Sequence, residues 1–560
     1  MKKLILLLVF CLSLHQASSQ ILDNLRVGLE SNMAWYNDDK RTGPFFDGDN
    51  NDGDEHVRVN SYLKLDYDFL KNFTATVQVE SYEPLPLLNY SPNFDGTDLG
   101  IYSLNYKNSK LEVNAGHYYE QFGSGLVLRN WEDRQLGLNN ALLGGRAIYM
   151  PTDYLSLTGL YGKQRVGFKT SEGDIYGFNA VVDIFSIFNI EDSSLSLGFS
   201  YVGREEETDI EEPNFDDLTN VFSGRVNFSK NSFYASAEYV AKSDDVVVLA
   251  GQLINDFVEP GSALLFNTGF STKGFGVDAT FRRLENMGFF SERETTGNVF
   301  LENNINFTPA LTKQHDYLLT NIFVYQAQSQ VVFVDPQLME AGEIGGQIDV
   351  FYNIKKGTPL GGKYGTKLAF NASYWAGLKG DYDFGELSYD VDYFGFGEKY
   401  FSDISLEIRK KWNKKWNSIF YYVNQYYNQR IIEDNFSGEQ IQANIVVGET
   451  FYKFGRIGQS VRLELQRLWS NSDNHNWVGG TLEYNVSPRL SFYVNDIYNS
   501  GDDSSTSENH YYNFGGSFNK GTTRVSLNYG RQRAGLVCVG GVCRFVPEAT
   551  GLSASLLMNF

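Results

Sequence analysis

The chain has 560 residues, of which 15% are aromatic, with 68 acidic against 47 basic side chains, 54 glycines and 3 cysteines. A net charge of -21 argues against a nucleic-acid partner, because phosphate neutralisation needs Lys and Arg gathered on one face and no such cluster stands out along the chain. With 42% hydrophobic residues it is not a disordered chain either.

The first segment reads as a targeting sequence. Met1, Lys2 and Lys3 supply the positive start, residues 4–14 the apolar stretch, and Ala17, Ser18 and Ser19 the small-residue cleavage site. Residues 1–19 are therefore expected to be a signal peptide for Sec export in a Gram-negative cell, leaving residues 20–560 as one domain. Cys11 follows the bulky Phe10, where a lipoprotein signal has a small residue. Beyond this segment no run approaches the ~18 apolar residues of a spanning helix.

The body is written instead in period two. A first alternating strand, Leu25–Asn37, carries Val27, Leu29, Ser31, Met33 and Trp35 on one face. An acidic stretch follows, in which Asp47, Asp49, Asn51 and Asp54 resemble a calcium loop; its glycine stands one place late and Arg58 occupies the twelfth position, so a solvated acidic loop is the plainer reading and calcium the sharper one. In Val57–Phe69 an apolar set (Val57, Val59, Leu63, Leu65, Tyr67, Phe69) alternates with Arg58, Asn60, Tyr62, Lys64, Asp66 and Asp68. The same signature returns at residues 233–242, 461–466, 512–518 and 524–529.

Connector lengths decide between a soluble sandwich and a membrane barrel. Short turns are expected at residues 70–72, 107–109, 229–231, 271–273, 412–415, 487–488 and 519–521, and long polar loops at 38–55, 205–217, 380–399 and 500–509. Short turns on one rim and long loops on the other are the outer-membrane pattern, and Tyr67, Phe69, Trp412, Trp416, Trp469, Trp477 and Tyr498 fit its aromatic girdles. The fold expected is all-β: a large transmembrane antiparallel barrel of about 26 strands, range 22 to 26, with short periplasmic turns and long extracellular loops. That tally includes residues 300–308 as a weak strand. A barrel this wide would leak unless obstructed, and the segments expected to fold inward are 123–145 and 288–298, or else a partner protein fills it. Within the first of these, Arg129, Glu132, Asp133 and Arg134 are candidates for a charged constriction.

Near the end, Gly540 and Gly541 suit a two-residue primed turn, so that Val539 pairs with Val542 and Cys538 faces Cys543. An export compartment then favours a structural disulfide. In the last strand, near residues 545–560, Phe560, Met558, Leu556, Ala554 and Leu552 fall at every second position. Phe560, Met558 and Leu556 resemble the terminal strand read by the barrel-assembly machinery. Catalytic chemistry is thin: His56, His117, His315, His475 and His510 stand in no nucleophile motif, and neither enzyme activity nor a cofactor beyond the candidate calcium is expected.

Residues 119–129 (YEQFGSGLVLR), 159–165 (GLYGKQR) and 531–544 (RQRAGLVCVGGVCR) resemble a family of Bacteroidota outer-membrane barrels known only as a domain of unknown function. The resemblance implies location and fold and brings no activity. TonB-dependent transporters share the barrel size but carry a plug domain ahead of the first strand, and the few residues between the expected cleavage point and Val27 leave no room for one. Two readings remain. The first is a channel or gated pore for polar solutes, lined by Arg58, Lys64, Asp66, Glu112, Asn114 and Glu464. The second is an accessory or scaffold subunit of a larger outer-membrane export or assembly complex, with protein partners added to the lipid, lipopolysaccharide and assembly-machinery contacts that either reading implies. A lumen sealed by its own loops would favour the second.

Overall fold

A strand that alternates apolar with polar residues along its length buries one face and wets the other, and two dozen such strands joined end to end can satisfy every ladder bond only by closing. The computed structural model, which describes residues 24–41, 56–207, 216–249, 252–294, 300–455, 458–471, 476–500 and 509–560, shows that closure. One antiparallel sheet holds 24 strands. The first, Leu25–Asn37, pairs with Val57–Phe69 on one side and with the last, Ala549–Asn559, on the other. At this seam Phe560 and Val27 exchange both backbone hydrogen bonds, N–H to O, at 2.9 and 3.3 Å. The even number returns both ends of the sheet to the rim of short turns. The signal peptide and Asp47, Asp49, Asn51 and Asp54 lie outside the described residues.

The outer face is apolar where lipid would touch it: Leu99, Phe199, Phe222, Ile404, Leu465 and Leu527 are exposed. No soluble sheet carries so continuous an apolar surface. Along the turn rim the outward rings stack in series, Tyr67 on Phe69 at 6.1 Å, Phe69 on Phe73 at 5.6 Å and Trp412 on Trp416 at 5.4 Å. Among the described residues no helix is long and apolar enough to cross a membrane.

Four expectations need correction. Residues 300–308 form no strand, and the segment lies inside the barrel, touching Asn304 to Phe290 by an isolated bridge. Residues 380–399 are not a loop: Thr366–Asp383 and Ser388–Lys411 continue the ladder to a tight tip at 384–387, because register slips after Trp375 let the pair run on above its neighbours. The closing strand begins at Ala549, since Val542–Val546 is committed to a separate hairpin with Gly535–Val539. Finally Trp477 is no girdle residue; it sits opposite Leu468 on the lumen face and is buried.

Candidate functional site: the filled lumen

The lumen is filled by the chain itself. Two insertions carry the filling: residues 119–141, between strands Leu111–Tyr118 and Leu142–Thr152, and the described residues 286–294 and 300–341, between Phe275–Glu285 and Gly342–Ile354. They zip to each other by backbone bonds, Arg129 N–H to Ile305 O and Phe307 N–H to Gly125 O, both 2.9 Å. The disulfide hairpin joins them through the Ala310 N–H, which donates to Gly541 O at 2.7 Å, and the Arg544 guanidinium, which donates to Phe300 O at 2.6 Å. Gly540 and Gly541 both have positive φ, 58° and 82°, as the primed turn between Cys538 and Cys543 requires, and those two cysteines are bonded.

The wall is shaped to receive this filling. Leu160, Ile175, Val202, Val221, Val240, Ala263 and Leu284, one residue from each of seven consecutive strands, make an apolar belt on the inner face against Phe122, Leu126, Leu128, Phe289 and Ile305 of the insertions. Across the lumen a second belt, built from Trp375, Phe401, Val423, Ile445, Leu468, Trp477 and Ile497, receives Leu319, Phe323 and Tyr325. Tyr325 stacks on Trp375 at 5.9 Å and on Phe401 at 5.2 Å. An aqueous pore has a polar lining. Here two belts of the inner wall belong to hydrophobic cores.

Above and below these belts, buried ion pairs fasten the filling. Arg293 of the longer insertion and Arg204 of the wall share Asp245, at 2.8 and 3.0 Å, and both also reach Glu206, at 3.0 and 3.2 Å. Arg282 pairs with Glu343 at 2.6 Å, and the Tyr325 hydroxyl donates to the same carboxylate. Arg165 forks onto Glu80 at 2.9 and 2.6 Å, tying together wall strands that have three others between them. Such charges are tolerable only because each is paired and hydrogen-bonded. Burial pushes the Glu302 carboxyl up, and Asn93 binds it at 3.1 Å.

The four residues expected to form a constriction are placed differently from one another. Arg134 reaches the wall, bonding Glu30, Gln78 at 3.2 Å and its neighbour Glu132 at 3.0 Å, with its guanidinium 3.9 Å above the Tyr62 ring. Burial pulls that guanidinium down, but Glu132 and Glu30 more than offset it and hold it above its ordinary value. Arg129 instead lies 3.7 Å over Phe307 within the filling, and Asp133 caps a turn by accepting the Gln135 and Leu136 N–H groups at 2.8 and 3.0 Å. No common ring of charge results. Of the residues expected to line a channel, Arg58 is bonded to Pro86 O at 2.9 Å, Glu112 to Arg146, and Glu464 to Arg462. His117 is a strand residue whose ring receives the Tyr102 N–H at 3.2 Å. Among the described residues no group of three metal-ligating side chains occurs.

Sequence reasoning missed the apolar belts and most of the longer insertion. A signal was present: Val221 interrupts the inward polar set Thr219, Ser223 and Arg225, residues 421–423 carry aromatic or apolar side chains on both faces, and residues 445–447 are apolar on both faces.

A wide barrel whose own chain fills its lumen is a plugged transmembrane β-barrel. Residues 1–560 match the family described as Family of unknown function (DUF6029), and the chain belongs to that family. Comparison with curated proteins finds no match. Among solved structures, the chain is similar to the siderophore receptor PirA from Pseudomonas aeruginosa at 8% identity and a TM-score of 0.40, over 96% of this chain and 80% of that one. It is also similar to the P pilus usher PapC translocation pore, at 8% identity and TM-score 0.37 over 96% and 99%. OccD3 (OpdP) from Pseudomonas aeruginosa stands at 8% and 0.34, over 96% and 91%.

Proposed function

We propose that this barrel is an accessory or scaffold subunit of a larger outer-membrane export or assembly complex, in preference to an open pore for polar solutes. One observation carries the reading: the inner wall presents two apolar belts against which the insertions pack. Expelling Phe122, Leu126, Leu128, Phe289, Leu319, Phe323 and Tyr325 into water would cost on the order of 10 kcal/mol or more, at about 1.5–3 kcal/mol for each fully buried apolar side chain. A pore that opened by that route would be closed almost always. In this reading residues 1–19 are removed on export and the loop rim faces outward. A gated pore is the second reading, and a vestibule open at the turn rim favours it.

The test is twofold. Purified in mild detergent from its own membrane, the protein is expected to bring a partner in fixed stoichiometry; reconstituted alone in a planar bilayer, it is expected to show no steady conductance. Replacing residues 288–339 by a short Gly-Ser linker should open a large ohmic conductance in a barrel that still inserts. Steady conductance from the unaltered protein, with no partner recovered, would overturn the proposal.

A further inference from the structure

At the turn rim, below the filling, the lumen opens into a vestibule of about 1050 Å³. Nine lysines and one arginine line it, among them Lys273, Lys356, Lys367, Lys411, Lys415 and Lys453, and no acidic residue does. Ten of the 47 basic residues of a chain with net charge -21 thus surround one cavity. Five of them fall within residues 409–415 and the other five are Lys273, Lys355, Lys356, Lys367 and Lys453; the ladder brings these segments together. Asn353 pairs with Lys367, Lys367 with Arg409, Lys411 with Asn417 and Asn417 with Phe451, all on the inner face that carries Trp375 and Ile445 further up.

Elsewhere inside this barrel several cations are matched by carboxylates: Arg165 by Glu80, Arg146 by Glu112 and Glu120, Arg282 by Glu343, Arg204 and Arg293 by Asp245. In the vestibule Arg409 pairs with Glu407, but among the described residues none of the nine lysines pairs with a carboxylate. Like charges held around a concave site repel one another and raise the local potential for an anion. The composition also selects among anions. A planar carboxylate is best met by the fork of a free arginine, whereas lysine binds phosphate as a point charge from any direction. The single arginine is already engaged.

We propose that this vestibule binds a ligand carrying at least two phosphate-class negative charges, supplied either as a free polyphosphate-type solute or as the headgroup of an anionic lipid. The site is independent of how the lumen itself functions. Tyr364 and Phe451 border it and give such a ligand an apolar edge to rest on.

The experiment is calorimetric titration of the detergent-purified protein with tripolyphosphate and with orthophosphate, beside native mass spectrometry of the protein taken from nanodiscs containing cardiolipin. Lys367→Gln/Lys453→Gln and the turn variant Lys414→Gln/Lys415→Gln are compared with Lys520→Gln, a lysine on the same rim outside the vestibule. Tripolyphosphate binding that weakens at least tenfold in either double variant and stays unchanged in Lys520→Gln supports a solute site. Cardiolipin retention lost in the same variants, without tripolyphosphate binding, supports a headgroup site. Binding of neither, binding equally tight in the double variants, or orthophosphate binding as tightly as tripolyphosphate would overturn the proposal.

Discussion

Asp245 shows how much depends on single residues inside the lumen. Its carboxylate is shared by two buried guanidiniums, on Arg204 and Arg293, one from the wall and one from the filling. Asp245→Ala leaves two adjacent buried cations with Glu206 alone to serve both. The expected loss is about 3–5 kcal/mol of unfolding free energy, measured by urea titration of the refolded barrel with gel mobility as readout. His315 is a second sensitive point. Its ring packs 4.1 Å from that of Tyr421, and burial, reinforced by Lys313, pushes its pKa down to about 4. The folded-state value lies below the unfolded one of about 6.5, so the folded protein binds fewer protons between the two. Stability from this residue is present above pH ~6.5 and lost as pH falls through 4, by at most about 3 kcal/mol. Lys313, Asp316, Asp349 and Glu407 face it, and none cancels the direction. Hydrogen exchange of residues 310–325 is expected to speed up across that window, and His315→Phe, which keeps a ring but cannot charge, should remove the acid response.

At the scale of elements, the strands and their turns were legible because period-two alternation over ten or more residues has few other causes. Leu25–Asn37 and Val57–Phe69 were readable to the residue, as was the turn that brings Cys538 to Cys543. The surplus strand in the tally has a physical origin: residues 300–308 space Phe300, Leu301, Ile305 and Phe307 among Glu302, Asn303, Asn304 and Asn306, and a plug segment that buries side chains of both kinds looks like a weakly alternating strand. The longer insertion as a whole was not legible, since its order comes from contacts with wall residues more than a hundred positions away, such as the Leu319 N–H donating to Gln466 at 2.9 Å. Nor was the cationic vestibule, which joins residues 409–415 to Lys273, Lys355, Lys356, Lys367 and Lys453 from other strands and turns. The hairpin makes a further prediction. Its bond closes a very short loop, so Cys538→Ser/Cys543→Ser should cost about 2 kcal/mol at most in the chain-entropy account. Because the hairpin tip clasps Ala310, the local effect should be larger: trypsin is expected to cut at Arg533 and Arg544 several times faster in the variant, by timed digestion.

For the whole molecule, two apolar belts and a set of ion pairs from plug to wall couple the plug to the barrel. Val202→Ser/Val221→Ser/Val240→Ser leaves every lipid-facing residue intact and weakens only the inner belt. Insertion into detergent or bilayer is expected to be retained, with brief, irregular conductance bursts absent from the parent protein. Silence in the bilayer would mean that the second belt and the ion pairs suffice to hold the filling. The channel residues expected from sequence, Arg58, Glu112 and Glu464 among them, are on the inner face as alternation required. Periodicity reports which way a side chain points and is blind to what stands opposite it.

The longer insertion leaves the sheet after Phe275–Glu285 and returns at Gly342–Ile354, in mid-chain, while the seam joins the first strand to the last. Its two tethers stand side by side, Glu285 opposite Gly342, at one rim. A lobe hung from a single rim folds in through the open mouth without threading a free end, so the topology lets the cylinder close first and fill afterwards, or fill as it closes. Either way the seven-strand apolar belt is bare until the lobe is seated, and the barrel is its own chaperone for that surface only once both are in place.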